Sequence, residues 1–399
     1  MFSETMSSKL KRVWITGPLI IGAGPSGLAA AACLKQKGVP FLILEKESCL
    51  GSLWKRKTYD RLKLHLPKEF CELPHMPFPR EFPAYPTKQQ FVSYLEAYAK
   101  HFSIEPIFGA EVHLARYDAA MGFWQVQTNE SEFVCRWLIV ATGENAEPLL
   151  PDVAGLAEFG GKVLHSCEYK NGVDFRGSKV LVVGCGNSGM EVSLDLCNSG
   201  AQVSLVIRDK LHILPREVFG RSTFAVSMCL LKWFPVRLVD WLLLLCSRVI
   251  LGDTRQFGIK RPEIGPLELK NTIGKTPVLD VGAAAKIRSC EIKVAGGIRR
   301  FTTRGAEFLD GKEEEFDSII LATGYRSNAA SWLMEDDFFN QKDDYPKSSF
   351  PKNWKGENGV YSVGFTRKGL LGVSIDAQRV AEDIARQWYS EMKPLSLKF

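Results

Sequence analysis

The chain has 399 residues, a formal net charge of +6, 45% hydrophobic and 24% charged residues. That balance describes a folded globular protein long enough for two domains and excludes disordered and collagen-like classes. The positive charge comes in short, scattered groups such as Lys11-Arg12, Lys55-Arg56-Lys57 and Arg299-Arg300 without interleaved aromatics, which excludes a nucleic-acid groove and suits anionic small molecules. Met1 to Trp14 lacks the apolar core and cleavage site of a secretory signal, so the cytosol is the expected compartment. Ten cysteines without a C-x-x-C pair, and six histidines that form no cluster with them, read as reduced thiols and no metal site.

In chain order, the apolar run Leu19-Ile20-Ile21 leads into Gly22-Ala23-Gly24-Pro25-Ser26-Gly27, a G-x-G-x-x-G pattern, and then into a helix from Leu28 to Gln36. Gly22 suits the tight turn, Gly24 a close backbone approach to a pyrophosphate, and Gly27 close packing of helix on strand. A second apolar strand, Phe41 to Leu44, ends at Glu45, eighteen residues after Gly27, where an acid binds ribose hydroxyls. The proline-rich passage Tyr59 to Pro86 cannot hold a long helix. Trp54 and His65 flank or lie in it, each as readily core as cavity wall. Thr87 to Phe102 reads as a helix with Thr87 as N-cap, followed by strands near Glu111 to Ala115 and Phe123 to Thr128. The strand Trp137 to Val140 ends in Ala141-Thr142-Gly143, and Ser318 to Leu321 ends in the same way in Ala322-Thr323-Gly324.

Between these twins lies a second cradle, Gly184-Cys185-Gly186-Asn187-Ser188-Gly189, running into a helix from Met190 to Asn198 and a strand from Gln202 to Ile207. Here the residue at the ribose position is Arg208, whose guanidinium matches a 2′-phosphate; Asp209, the competing sign of NADH, falls one residue too late. The economical assignment is FAD in the first cradle and NADPH in the second, hence an oxidoreductase. The region Cys229 to Leu251 is interrupted by Lys232, Arg237, Asp240 and Arg248 and falls short of a membrane span; it reads as a buried or amphipathic helix, with a membrane or partner surface as the alternative.

Phe159-Gly160-Gly161-Lys162-Val163-Leu164-His165-Ser166-Cys167-Glu168-Tyr169 matches F-x-G-x-x-x-H-x-x-x-Y, which resembles the identifying motif of class B flavin monooxygenases. Tyr169 stands where Baeyer–Villiger enzymes usually have Trp. The stretches Asp60 to Pro74, Ala141 to Pro148, Gly184 to Glu191 and Phe365 to Leu370 resemble the plant YUCCA family, the indole-3-pyruvate monooxygenases of auxin synthesis, and the likeness runs in order from Gly17 to Trp388. The resemblance implies two Rossmann-like domains of α/β class. An NADPH domain, 174–299, is expected inside a discontinuous FAD domain, 1–173 and 300–399.

It also implies hydride transfer from NADPH to FAD, a flavin hydroperoxide formed with dioxygen, and oxidative decarboxylation of indole-3-pyruvate to indole-3-acetate, without a side-chain nucleophile. The expected FAD contacts are Gly22, Gly24, Pro25, Ser26, Gly27, Glu45, Trp54, Thr142 and Gly143. The expected NADPH contacts are Gly184, Gly186, Asn187, Ser188, Gly189, Arg208, Thr323 and Gly324. Trp54, His65, Asn145, His165 and Tyr169 are expected as pocket or placement residues, and Arg221, Arg367 and Lys368 as candidates for the cation that meets the substrate carboxylate. Two places depart from the pattern: Val363-Gly364-Phe365 replaces the usual Gly-Asp flavin contact, with Asp376 as a substitute or a helix cap, and His65 stands where related enzymes carry asparagine. The competing readings are an S- or N-oxygenating flavin monooxygenase and a non-catalytic FAD-binding regulator. Peripheral contact with a membrane such as the endoplasmic reticulum surface is compatible with either.

Overall fold

The computed structural model describes residues 10–335, 338–340, 345–348 and 351–392. Most of the stretch in which no leader is expected, residues 1–9, lies outside them. Two five-stranded parallel sheets organise the rest. In the first, the strand order is Val360–Ser362, Leu138–Val140, Leu19–Ile21, Leu42–Glu45, Ile107–Phe108. The second runs Lys162–His165, Ser318–Leu321, Lys179–Val183, Gln202–Val206, Ile292–Ala295. In both, the strand that enters the glycine loop sits between the strand that runs into Ala-Thr-Gly and the strand that runs to Glu45 or towards Arg208. Strands buried on both faces read as continuous apolar runs, which is why these strands were visible in the sequence.

Lys162–His165 pairs with Ser318–Leu321, and Ser318–Leu321 pairs in turn with the second glycine strand, Lys179–Val183.

The helix that follows the first loop, Pro25–Gln36, is buried from Ser26 to Leu34. Its run Ala29 to Ala32 is fully buried, and small side chains there let it lie close to both the sheet and the C-terminal helix Gly369–Met392. The helix Lys88–His101 closes the same core with Phe91, Tyr94, Leu95 and Tyr98, and starts in a reciprocal capping box between Thr87 and Gln90. The Tyr59 to Pro86 passage contains only a one-turn helix, Lys68–Phe70. A third sheet, Lys11–Trp14, Ser131–Cys135, Phe123–Thr128, Val112–Asp118 and Leu333–Met334, packs beside the first.

Pro235 splits the long apolar region into the helices Thr223–Leu230 and Val236–Leu251. In the second, Val239, Leu243, Ser247 and Leu251 face inward, while Phe234 just ahead of it and Leu238, Trp241, Leu245 and Val249 within it are exposed. No helix among the described residues is long and apolar enough to cross a membrane.

Candidate functional site: two nucleotide cradles and a shared cavity

Gly22 adopts φ +109°, and a methyl group on it would stand 2.7 Å from the Ala141 carbonyl oxygen. A methyl on Gly27 would overlap the Gly22 carbonyl, whereas Gly24 has nothing within 4 Å of the same position. The first and third glycines are thus required by backbone packing, and the middle one leaves open space for a ligand. Gly24 is the N-cap of Pro25–Gln36 and offers no side-chain cap, so the first helical amides remain available to an anion. Gly22, Gly24 and Pro25 line a cleft of about 1110 Å³ together with Ser26, Glu45, Trp54, Thr142, Gly143 and Asn145, while Gly27 packs behind it. The buried Glu45 carboxylate accepts the amides of Ala23 (2.7 Å) and Glu47 (3.0 Å). Thr142 Oγ1 and Asn328 Oδ1, both in the cleft wall, are buried without a hydrogen-bond partner among the described residues. Since buried polar atoms are rarely left unpaired, a polar ligand of dinucleotide size fits here. Trp54 serves as both core and wall, since it meets the Phe91 ring edge-on at 4.5 Å and also lines the cleft.

The second cradle repeats this geometry. Gly184 has φ +108°, a methyl on it would stand 2.5 Å from the Ala322 carbonyl, and one on Gly189 would overlap Gly184. Gly186 is open, and its φ −82°, ψ −172° matches the φ −81°, ψ −172° of Gly24. Arg208 lies two residues beyond Gln202–Val206, 78% exposed and bonded to Asp209 at 3.1 Å. Asn187 turns its side-chain oxygen to the Leu279 amide (2.9 Å). Ser188 follows it in the first turn of the helix. Thr323 Oγ1 donates to the Leu149 carbonyl (2.5 Å), and the Leu149 amide returns a bond to the Gly324 carbonyl (3.0 Å).

The Phe159 to Tyr169 motif locks this unit. His165 Nδ1 accepts the Cys167 amide (3.3 Å), which leaves Nε2 protonated to donate to the Gly324 carbonyl (3.1 Å). Burial lowers the pKa of the imidazole. Tyr169, almost fully buried, donates to Asp195 (2.6 Å) on the helix Asn187–Asn198, and Asp195 also accepts the Gly172 amide (2.9 Å). His165 thus ties the motif to the backbone at Gly324, and Tyr169 ties it to a side chain of the second-cradle helix.

A larger cavity, about 1600 Å³, shares Glu144 and Asn145 with the first cleft and reaches Asn187 of the second loop. His65 lines it, with Nε2 3.1 Å from Glu191 Oε1 on the second-cradle helix. Burial, followed by Arg216, lowers the His65 pKa to about 4, and burial raises that of Glu191 to about 7. Leu214, Phe224, Leu243, Leu267 and Leu279 give the cavity an apolar wall, and Lys270, Arg367 and Lys368 bring positive charge. Lys270 carries no motif and was not foreseen; only the fold brings its helix over the cavity. Arg221, expected as a carboxylate cation, lines a separate groove with Tyr85 and Cys229. Asp376 is not a cap: it lies fully buried in the second turn of Gly369–Met392 and accepts the Gly364 amide (3.1 Å). Gly364, at φ +90°, sits against Ser26.

Comparison with known proteins agrees with this geometry. A family model described as pyridine nucleotide-disulphide oxidoreductase matches residues 19–215, which hold both cradles. All ten cysteines are free thiols. The fold is shared with a flavin-containing monooxygenase from Stenotrophomonas maltophilia at a TM-score of 0.72 and 21% identity, covering 95% of this chain and 99% of that one. Indole-3-pyruvate monooxygenase YUCCA6 of Arabidopsis thaliana is 58% identical over 389 residues, covering 96% of this chain and 93% of that protein. Indole-3-pyruvate monooxygenase YUCCA1 of Oryza sativa subsp. japonica is 56% identical over 379 residues, covering 95% and 93%. With identity at this level along nearly the whole of both chains, the protein belongs to the YUCCA family of indole-3-pyruvate monooxygenases.

Proposed function

We propose that this chain is an NADPH-dependent flavin monooxygenase that converts indole-3-pyruvate, NADPH, dioxygen and a proton to indole-3-acetate, carbon dioxide, NADP⁺ and water. The observation that carries the reading is the single cavity that joins the first cleft at Glu144 and Asn145 and the second loop at Asn187. The chemistry that FAD supplies when bound is acceptance of hydride from NADPH and activation of dioxygen. The chain's own residues would bind and orient. Gly24, Ser26 and the first amides of Pro25–Gln36 would hold the pyrophosphate, Glu45 the ribose, and Thr142, Gly143 and Trp54 the rest of the flavin cleft. Gly186, Ser188 and the helix that starts at Asn187 would hold the NADPH pyrophosphate, with Arg208 on the 2′-phosphate. His165 and Tyr169 would position this unit against the first. The leucines and Phe224 of the cavity would keep bulk water from the reacting atoms.

The purified protein is expected to show an oxidised-flavin spectrum that NADPH bleaches, and to release indole-3-acetate from indole-3-pyruvate with oxygen uptake. Flavin that NADPH does not bleach would support a non-catalytic regulator. Oxygenation of a thioether or amine without action on the keto acid would support the S- or N-oxygenating reading. We further infer that the exposed stripe Phe234, Leu238, Trp241, Leu245 and Val249, edged by Arg237 and Arg248, provides peripheral contact with a membrane such as the endoplasmic reticulum surface.

A further inference from the structure

The large cavity and the outer groove that holds Arg221 share one wall. Leu66, Thr223, Phe224 and Ser227 line the cavity. Pro67, Ser222, Ala225, Val226 and Cys229 line the groove, a space of about 970 Å³. Chain neighbours thus face opposite sides, Leu66 the cavity and Pro67 the groove, Thr223 the cavity and Ser222 the groove. The helix Thr223–Leu230 is the partition, and where it meets the Tyr59 to Pro86 passage the Phe70 and Phe224 rings close it edge-on, 5.0 Å apart. The start of the helix is fixed. Thr223 donates its hydroxyl to the Pro215 carbonyl (2.5 Å) and its amide to the Arg216 carbonyl (3.0 Å), and Ser222 accepts the Ala225 amide (3.4 Å). The ring pair is held less firmly: Phe70 and Phe224 are both half-buried and belong to none of the apolar core clusters among the described residues. An edge-on pair of rings is a modest contact that a third ring can replace. Arg216 stands beside this seal, with its guanidinium 4.2 Å over the ring of Tyr85 in the groove wall and close enough to His65 in the cavity wall for its charge to act there. Glu69 and Glu217 line the groove as well as Arg221, so an anion is drawn in without being held, as a passage requires. Asn187 brings the cavity to the second cradle, so bound coenzyme would take that side, and an acid that arrives after it needs another way in.

We propose that this groove is the entrance for the substrate: the acid comes in past Arg221, the Phe70 and Phe224 rings part, and it passes Arg216 into the large cavity. The entrance rests on the proposed function for the identity of the acid and adds to it a route and a gate.

Cys229 gives the test a handle, since its thiol is free, exposed and in the groove wall. The FAD-loaded enzyme is labelled with a bulky maleimide and supplied with NADP⁺, and association and dissociation of indole-3-pyruvate are followed by stopped flow through the flavin spectrum. A plug in a passage slows entry and exit alike, whereas damage to a binding site shifts the equilibrium. Labelled wild type should therefore lose roughly tenfold or more in both rates at an unchanged Kd. Cys229→Ser treated in the same way should keep the rates of the unlabelled enzyme. Phe70→Ala, which removes half of the seal, should raise both rates several-fold, again at constant Kd. Flavin bleaching by NADPH, measured without the acid, should be the same in all of them. Labelled wild type that keeps its rates overturns the entrance, as does a loss confined to one rate or an equal loss in Cys229→Ser. Wild-type rates in Phe70→Ala overturn the gate. Wild type that binds the acid and never turns it over sinks the proposed function instead, and the same two rates still decide the entrance. Wild type that does not bind the acid overturns both.

Discussion

Replacing Glu191 by Gln tests the electrostatics of the contact between His65 and the second-cradle helix. Glu191 has a folded pKa of about 7 against an ordinary 4.5, because burial penalises its charge. Folding therefore favours the protonated carboxyl: this contribution is complete below pH 4.5 and is lost as pH rises through 7. The gap of about 2.5 pH units, at ~1.36 kcal/mol each, makes the loss about 3 kcal/mol. His65 works the other way. Its folded pKa of about 4 lies below the ordinary 6.5, so stability is full above 6.5 and is lost as pH falls towards 4, again by about 3 kcal/mol. In the wild type the two terms offset one another between about pH 4 and 7. Gln mimics the protonated carboxyl, so Glu191→Gln should match wild type near pH 5 and exceed it at pH 8, by about 4 °C in Tm for a chain of this size. Its own Tm should fall more steeply than that of wild type as pH drops from 6.5 to 4.5, and adding His65→Gln should remove that extra slope. Scanning fluorimetry of the FAD-loaded proteins from pH 4.5 to 8 measures this. A difference between Glu191→Gln and wild type that stays constant across pH would refute the reasoning.

Three further outcomes follow from the site. Gly27→Ala should fail to yield soluble flavoprotein because its methyl meets an immovable carbonyl, whereas Gly24→Ala should fold and lose FAD affinity, as seen by flavin release on dilution. Arg208→Ala should raise the KM for NADPH by roughly tenfold or more with little change for NADH; equal losses for both coenzymes would end the 2′-phosphate role. Trp241→Asp with Leu245→Asp should abolish co-sedimentation with vesicles containing phosphatidylserine without changing bleaching by NADPH, and vesicles that never retain the wild type would end the membrane reading.

Much of the molecule was legible because its decisive features are local. A strand buried on both faces must be apolar, a strand-to-helix turn that meets a phosphate must have glycine where backbones touch, and a helix start such as Thr87 shows as an N-cap ahead of an apolar face. These marks gave both cradles, the Ala-Thr-Gly twins and the helix Lys88–His101. The path of the chain between elements was less legible. Whether Lys162–His165 pairs in the first or second sheet depends on which edge is vacant, and an apolar strand looks alike in either place. Asp376 resembled a cap because a helix start shows in sequence, but its distance to the Gly364 amide does not.

The sequence by itself determined that two glycine cradles exist and that Glu45 and Arg208 follow them at matching places, since each is written within some twenty-five consecutive residues. Only the tertiary structure decided which distant side chains meet. It brought Lys270 to Lys368, His65 to Glu191 and Tyr169 to Asp195, and set Arg221 aside in another groove. Those contacts join residues that are distant in the chain. They are fixed by how buried helices and sheets pack, which no short stretch of residue types records.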